Sequence, residues 1–387
     1  MKPLIIFSTL TRSELTINRV LYIFYFGAFG ISLPYLNLYY REFGLTGFQI
    51  GLINTLAPFM GMLGGPFWGT LADRFGHLRY FLGLAATGAV IAALSLSFAR
   101  SFPNLLLIAA IQTFFFAPIM PLLDSLTLQI LGRNREFYGR QRIWGSIGFI
   151  ITSLIFGFLF ERIGLHWLFY GFSLIMLAFL FTSFWLPSQE ANINLQIRHN
   201  FISLIKKPNW LFFTMSILIL GIGNSGMNNF LGVYLKEMGA KETLIGSVSS
   251  LGTLTELPIM FFSANLIARI GSRRMLGLAF LMFSIRWVLY GIMPTFEWAV
   301  PITLLHGFSF GFYWIASVAY ANELAPENFK STAQGLFAGT LNLTGILGAL
   351  IGGVLFDRFG PSKQFIFYGC LGLFALVFLW QGKVKNS

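Results

Sequence analysis

Charge is scarce in this chain of 387 residues: Asp, Glu, Lys and Arg together make up 10%, against 56% hydrophobic and 17% aromatic residues. With a mean hydropathy of +0.73, a soluble domain of this length is excluded and an integral membrane protein is expected. Cysteine is nearly missing. The single Cys370 can close no internal disulfide and build no metal cluster, so it is read as a small packing residue. No H-E-x-x-H, G-x-S-x-G, Walker-A loop or metal-spaced Cys/His set occurs, which argues against an enzyme, a metal or cofactor site and a nucleotide-driven pump. Acidic residues are the scarcer sign, 14 against 26 basic, for a net charge of +12. The basic residues are scattered in short loops between apolar runs instead of massed on one face, so membrane topology accounts for them and a nucleic acid partner is not expected.

What is abundant is long apolar runs. A hydrocarbon core of about 30 Å needs about 20 apolar residues in a helix, and twelve candidate spans meet that length, near 19–40, 48–72, 79–99, 104–130, 139–160, 166–186, 210–235, 244–268, 274–293, 298–321, 331–356 and 364–381. Lys2, Arg12 and Arg19 precede the first run, which has no A-x-A-like cleavage site and is read as a retained span, not a signal peptide. An even number of spans puts both termini on one side. The loops on that side carry most of the basic residues, among them Arg74, Arg79, Arg133, Arg135, Arg140, Arg142, Arg198, Lys206, Lys207, Arg269, Arg273 and Arg274; the opposite loops carry Arg41, Arg100, Arg162, Lys236, Lys241, Arg358 and Lys363. The bias predicts cytoplasmic termini and residence in the inner (plasma) membrane.

The longest polar interruption, Pro187 to Asn209, divides the chain into a first bundle over 1–186, a cytoplasmic linker over 187–209 and a second bundle over 210–387. The two halves repeat. Tyr39-Tyr40-Arg41-Glu42-Phe43-Gly44 returns 195 residues later as Tyr234-Leu235-Lys236-Glu237-Met238-Gly239, as do Ile50-Gly51 at Ile245-Gly246 and Arg74-Phe75-Gly76 at Arg269-Ile270-Gly271. Gly157-Phe158-Leu159-Phe160-Glu161-Arg162-Ile163-Gly164 likewise echoes Gly353-Val354-Leu355-Phe356-Asp357-Arg358-Phe359-Gly360 at an offset of 196. The fold class expected is therefore all-α integral membrane, with twelve transmembrane helices in two parallel-repeat six-helix bundles. Secondary transporters of this plan hold their solute between the halves near the midplane.

Ionisable residues inside the spans mark the candidate site, because each costs roughly 2.5–3.5 kcal/mol at the bilayer centre unless paired or facing a water-filled cavity. Asp124 lies in the fourth span and Arg142 opens the fifth, within Arg140-Gln141-Arg142-Ile143-Trp144-Gly145-Ser146. The planar fork of Arg142 suits a carboxylate or vicinal hydroxyls, and Asp124 is expected to hold it when the site is empty. Phe149 follows two turns later on the same face and is a candidate to stack on a solute ring. In the second half, Glu256, Arg286 and His306 fall in spans 8, 9 and 10, and Arg286 and His306 lie at similar depth, roughly 10–12 Å from the same ends of their helices at 1.5 Å per residue. Desolvation of Glu256 opposes its charge while a nearby cation favours it, the balance a reversible proton carrier needs. The structural alternatives are static ion pairs fastening helices. The glycine-rich segment Asn224-Ser225-Gly226-Met227-Asn228-Asn229 reads as a gating helix with Asn224 and Asn228 facing solute, or as close helix packing.

Gly69-Thr70-Leu71-Ala72-Asp73-Arg74-Phe75-Gly76-His77-Leu78-Arg79 resembles the signature loop of the major facilitator superfamily. That resemblance implies a conformational latch made by Gly69, Asp73, Arg74, Gly76 and Arg79; at the corresponding place in the second half Ala268 stands where Asp73 would repeat. Over essentially the whole chain, Asp124, Tyr138-Gly139-Arg140-Gln141-Arg142-Ile143-Trp144-Gly145-Ser146, Ser250-Leu251-Gly252 leading to Glu256, Arg286-Trp287 and Leu305-His306 are similar to the phenylpropionate permease group, and more distantly to the lactose permease and nucleoside:proton symporter groups. In lactose permease, an acid and arginine with the spacing of Asp124 and Arg142 hold the sugar, and an arginine and histidine keep the spacing of Arg286 and His306. The chain departs from that pattern where Ser309 replaces an acid one turn after the histidine and Asn224 replaces the helix 7 acid. A galactoside is therefore not implied.

The resemblance implies proton-coupled symport of a small organic solute, an aromatic or other small carboxylate being favoured, with a sugar or nucleoside as the alternative. Glu256 is the expected proton carrier, with Arg286 and His306 adjusting it. The partners expected are solute, protons and the lipid bilayer, no cofactor beyond the proton gradient is expected, and the chain is read as a monomer. An uncoupled facilitator or transporter-like sensor is the reading from another class, suggested by the missing acid at Ser309.

Overall fold

The computed structural model describes residues 12–75, 78–132, 134–186, 207–326 and 329–382. Among them the chain is helical throughout, with no strand. The elements are α1 (Arg12–Glu42), α2 (Gly47–Asn54), α3 (Leu56–Phe75), α4 (Leu78–Leu96), α5 (Phe102–Phe116), α6 (Ile119–Leu131), α7 (Tyr138–Ile163) and α8 (Leu168–Ser183), then α9 (Pro208–Glu237), α10 (Glu242–Phe261), α11 (Ser263–Ile270), α12 (Ser272–Ile292), α13 (Ala299–Thr303), a π-helical turn at Gly307–Gly311, α14 (Phe312–Leu324) and α15 (Lys330–Gln381). The linker expected over 187–209 lies outside the described residues except for its last three. All-α architecture with apolar membrane-spanning helices agrees with the sequence reading. Nine of the described helical stretches are long and apolar enough to cross a bilayer, ten if Phe296–Thr303 and Gly307–Leu324, bent by 43°, form one span.

Several expected spans are interrupted, and proline chemistry explains two of the breaks. Pro58 has no N–H to give the Asn54 carbonyl, and the second span divides at Thr55 into α2 and α3. Pro118 and Pro121 withhold the same bond from Phe114 and Ala117, separating α5 from α6. A proline inside a helix also clashes with the carbonyl four residues back. Conversely, the last two expected spans run on as α15, broken only at Gly360, whose φ of 73° is a left-handed conformation open to glycine.

Without water to drive apolar contacts, helices in lipid associate through close van der Waals packing and interhelical hydrogen bonds. The central helix α1, with Leu21, Tyr22, Ala28, Ile31 and Tyr35 fully buried, packs against α7 and α8; α15 packs against α9 and α12. Gly148 permits the α1–α7 approach, since a Cβ there would run into the Ile23 carbonyl. Phe98, Trp185 and Phe261 are 69%, 73% and 81% exposed, as befits lipid-facing side chains.

At one face the two halves of the chain are bonded together. The carboxylate of Asp357 accepts from the first two amides of α2, Gly47 N to Oδ1 at 2.7 Å and Phe48 N to Oδ2 at 2.8 Å. Arg41 forks onto Glu237 Oε1 through Nη2 (2.8 Å) and Nε (3.0 Å), and Lys241 reaches Glu161 Oε1 at 2.9 Å. Deeper in, the buried Tyr35 hydroxyl donates to the Ser153 carbonyl of its own half at 2.6 Å and lies 3.5 Å from Glu242 O of the other, while Ser153 Oγ donates to Gly246 O at 3.2 Å and Ser250 Oγ to Ile150 O at 3.2 Å across the halves. Asn37 gives its amide to Asn229 O at 2.9 Å and accepts from Asn54 at 2.9 Å.

Candidate functional site

The intramembrane charges of the second half form one chain of contacts. Arg286 on α12 is fully buried; its Nη1 lies 2.5 Å from His306 Nδ1 and 2.6 Å from Ser309 Oγ, and Nη2 lies 3.9 Å from Met227 Sδ. His306 Nε2 is 2.7 Å from Glu256 Oε1 on α10. The sequence reading brought Glu256, Arg286 and His306 together, and they meet. Phe283 lies under the guanidinium at 5.1 Å and Phe310 stacks on the imidazole at 5.4 Å, nearly parallel at 15°. The histidine sits just before the π-helical turn Gly307–Gly311, where Thr255 Oγ1 accepts from the Gly307 amide at 3.0 Å. Such turns widen the hydrogen-bond ring and often mark functional positions.

The donor inventory fixes the protons. A guanidinium only donates, so His306 Nδ1 is the acceptor of its bond with Arg286. A neutral imidazole with Nδ1 accepting carries its proton on Nε2, and Nε2–H donates to Glu256 Oε1. A second proton on His306 would set Nδ1–H against the Arg286 N–H. A proton on Glu256 leaves every one of these bonds in place. Ser309, noted in the sequence only as a missing acid, is an acceptor for buried Arg286.

In the first half the expected Asp124–Arg142 ion pair is not formed. Asp124 Oδ1 instead accepts from two phenols, Tyr22 at 2.7 Å and Tyr138 at 2.8 Å. Tyr22 is further tied to Thr127 Oγ1 at 3.0 Å, Thr127 to Asn18 Oδ1 at 3.0 Å, and Asn18 to Gln141 Oε1 at 3.5 Å. Arg142 is partly buried and lies 5.9 Å from the Phe26 ring centroid, within cation–π range. Phe149 does not share that position: it is 6% exposed, with its backbone against Gly30 of α1, so the aromatic beside Arg142 is Phe26. Sequence spacing could not reveal Tyr22, Tyr138 or Phe26, because their partners lie on other helices and aromatic residues are everywhere in the chain.

The gating segment divides. Asn228 is exposed, whereas Asn224 Oδ1 is buried without a hydrogen-bond partner among the described residues and Ser225 Oγ donates to Gly345 O at 3.2 Å. Of the expected latch, Gly69 and Asp73 lie on α3, where only their helical backbone is described, and Gly76 lies outside the described residues. Arg74 is exposed in the last turn of α3. Arg79 Nη1 donates to Leu186 O at 2.7 Å, tying the start of α4 to the end of α8.

Residues 15–367 match the family described as "MFS_1 like family". The chain is 31% identical over 382 residues to maltose permease of Geobacillus stearothermophilus, covering 96% of this chain and 95% of that one. It is 27% identical over 312 residues, 77% of this chain and 80% of the other, to a protein of Escherichia coli (strain K12) named "Probable 3-phenylpropionic acid transporter". Among solved structures, the crystal structure of nucleoside transporter NupG superposes with a TM-score of 0.86 at 17% identity, over 96% of this chain and all of that one.

Proposed function

Since this chain belongs to the MFS_1 like family and is a multi-pass secondary transporter of the major facilitator type, not an enzyme, we propose that it carries a small organic carboxylate, aromatic acids first, in symport with protons. The observation that supports this reading best is the Glu256–His306–Arg286 chain, in which Glu256 can gain or lose a proton while His306 and Arg286 keep their bonds. Glu256 is the carrier in this reading. His306 and Arg286 hold it, and Arg286 keeps its charge near the carboxylate as the cavity opens and closes. Arg142, with no acid within ion-pair distance among the described residues, is the cation that a solute carboxylate would meet, next to the Phe26 ring.

With the sidedness given by the loop charges, the termini are cytoplasmic, the bonded face carrying Asp357 is outside, and the state described is inward-facing. The halves rock about a site between them, with Asn228 on α9 facing the solute. The protein works as a monomer in the inner membrane.

A second reading is a neutral sugar, favoured by the full-length likeness to maltose permease and by Asp124, an acceptor already oriented for hydroxyls by Tyr22 and Tyr138. Uptake of labelled 3-phenylpropionate and maltose into vesicles, with wild type beside Arg142→Gln, separates the two. Carboxylate uptake lost at least 10-fold in Arg142→Gln supports the first reading. Maltose uptake with no carboxylate uptake in wild type replaces it with the second.

A further inference from the structure

An aspartate and an arginine on adjoining membrane helices would ordinarily pair, and the lack of a pair here has a visible cause. Tyr138 and Arg142 stand four residues apart on α7, so they project from the same helix face and compete for one carboxylate. Tyr138 holds it, at 2.8 Å. From the other side Tyr22 donates to the same oxygen at 2.7 Å, and Tyr22 cannot follow a moving carboxylate because it is fully buried and tied to Thr127. Thr127 in turn bonds Asn18 and the Leu123 carbonyl; Asn18 and Thr127 are fully buried and Gln141 is 2% exposed. A charged acceptor bound by two phenols in such a setting is held by charge-assisted bonds, stronger than neutral ones.

We infer that Tyr22 and Tyr138 are positioning residues that clamp Asp124 away from Arg142, so that the guanidinium stays available to an anionic solute. The consequence for solute choice rests on the reading of Arg142 given above; the clamp itself does not. Removing the hydroxyls frees Asp124 to close on Arg142, and the arginine then has an internal competitor. A solute carboxylate must displace that competitor, which raises KM for anions and leaves kcat unchanged.

Phenylglyoxal, which modifies guanidinium groups not covered by a carboxylate, reads the clamp directly, with the extent of reaction at Arg142 followed by mass spectrometry of purified full-length protein. In Tyr22→Phe/Tyr138→Phe the reaction at Arg142 is expected to slow at least fivefold, and Asp124→Asn in that background returns it to the wild-type rate. Each single Phe variant, which removes one hydroxyl and leaves the ring to pack, is expected to slow it about twofold, so the result does not depend on the double variant folding. An unchanged rate in the single variants, or slowing that Asp124→Asn does not relieve, overturns the clamp. A merely structural role for the tyrosines would produce no such rescue. Protection of wild-type Arg142 by 3-phenylpropionate is measured alongside. Slowing and rescue without protection upholds the clamp and removes the carboxylate reading; protection without slowing does the reverse.

Discussion

Arg286 is the most demanding side chain in the molecule, a guanidinium with no solvent exposure, and the partners it keeps set the expected effects of mutation. In Ser309→Ala a buried donor of Arg286 loses its acceptor, a loss of about 1–3 kcal/mol. Thermal unfolding in detergent should show the loss. His306→Phe is harsher: it strips Arg286 and Glu256 of their shared partner and leaves two groups each short of a hydrogen bond, at about 1–3 kcal/mol or more apiece, enough to cut the yield of folded protein several-fold. The second-half cluster was legible in the sequence because charges in apolar spans are rare, and three at compatible depths invite pairing. The first-half site was legible only in part. Asp124 and Arg142 were found by the same rarity, but their separation is decided by two tyrosine hydroxyls among 13 tyrosines, and hydroxyl aromatics carry no such signal.

At the scale of elements, apolar run lengths located the spans, and what they missed follows from chemistry finer than hydropathy. Pro58 and the Pro118/Pro121 pair break helices that remain apolar across the break, and the π-helical turn after His306 leaves no trace in a pattern of apolar residues. The repeat at an offset of 196 contained more than it was read for. Glu161 and Asp357 hold matching places in the repeated segments, and each reaches the start of a helix in the other half, Glu161 through Lys241 and Asp357 through the amides of α2. An anion at a helix N-terminus is favoured by the unpaired amides and the helix dipole, so these carboxylates fasten the bonded face. The expected outcome of Asp357→Asn combined with Glu161→Gln is a shift of the population toward opening at that face, measurable as longer distances between spin labels placed at the start of α2 and beside the Gly360 break in α15. Unchanged distance distributions would remove the two carboxylates from the closing contact.

For the whole molecule, the repeat, the loop charges and the bonded face combine into one cycle. The bonded face is held by the contacts between α1, α2 and α7 on one side and α9, α10 and α15 on the other; in the proposed cycle that face is the outer one, and opening it requires those contacts to break while others form at the opposite helix ends. In the proposed symport a proton and a solute bias the same rocking equilibrium, and a ligand can shift it only by its difference in affinity for the two states. In the proposed symport, Glu256→Gln fixes the proposed carrier in a form that mimics the protonated acid, keeps an acceptor for His306 Nε2–H, and is expected to retain solute exchange while losing accumulation. The most direct measurement is solute-induced proton movement in reconstituted vesicles, with wild type beside Glu256→Gln. The expected result is alkalinisation of the outside on adding the transported solute to wild-type vesicles, and none in the variant although exchange of labelled solute persists. Proton movement that continues in Glu256→Gln would contradict the assignment of the carrier, and solute transport by wild type without proton movement would contradict symport itself.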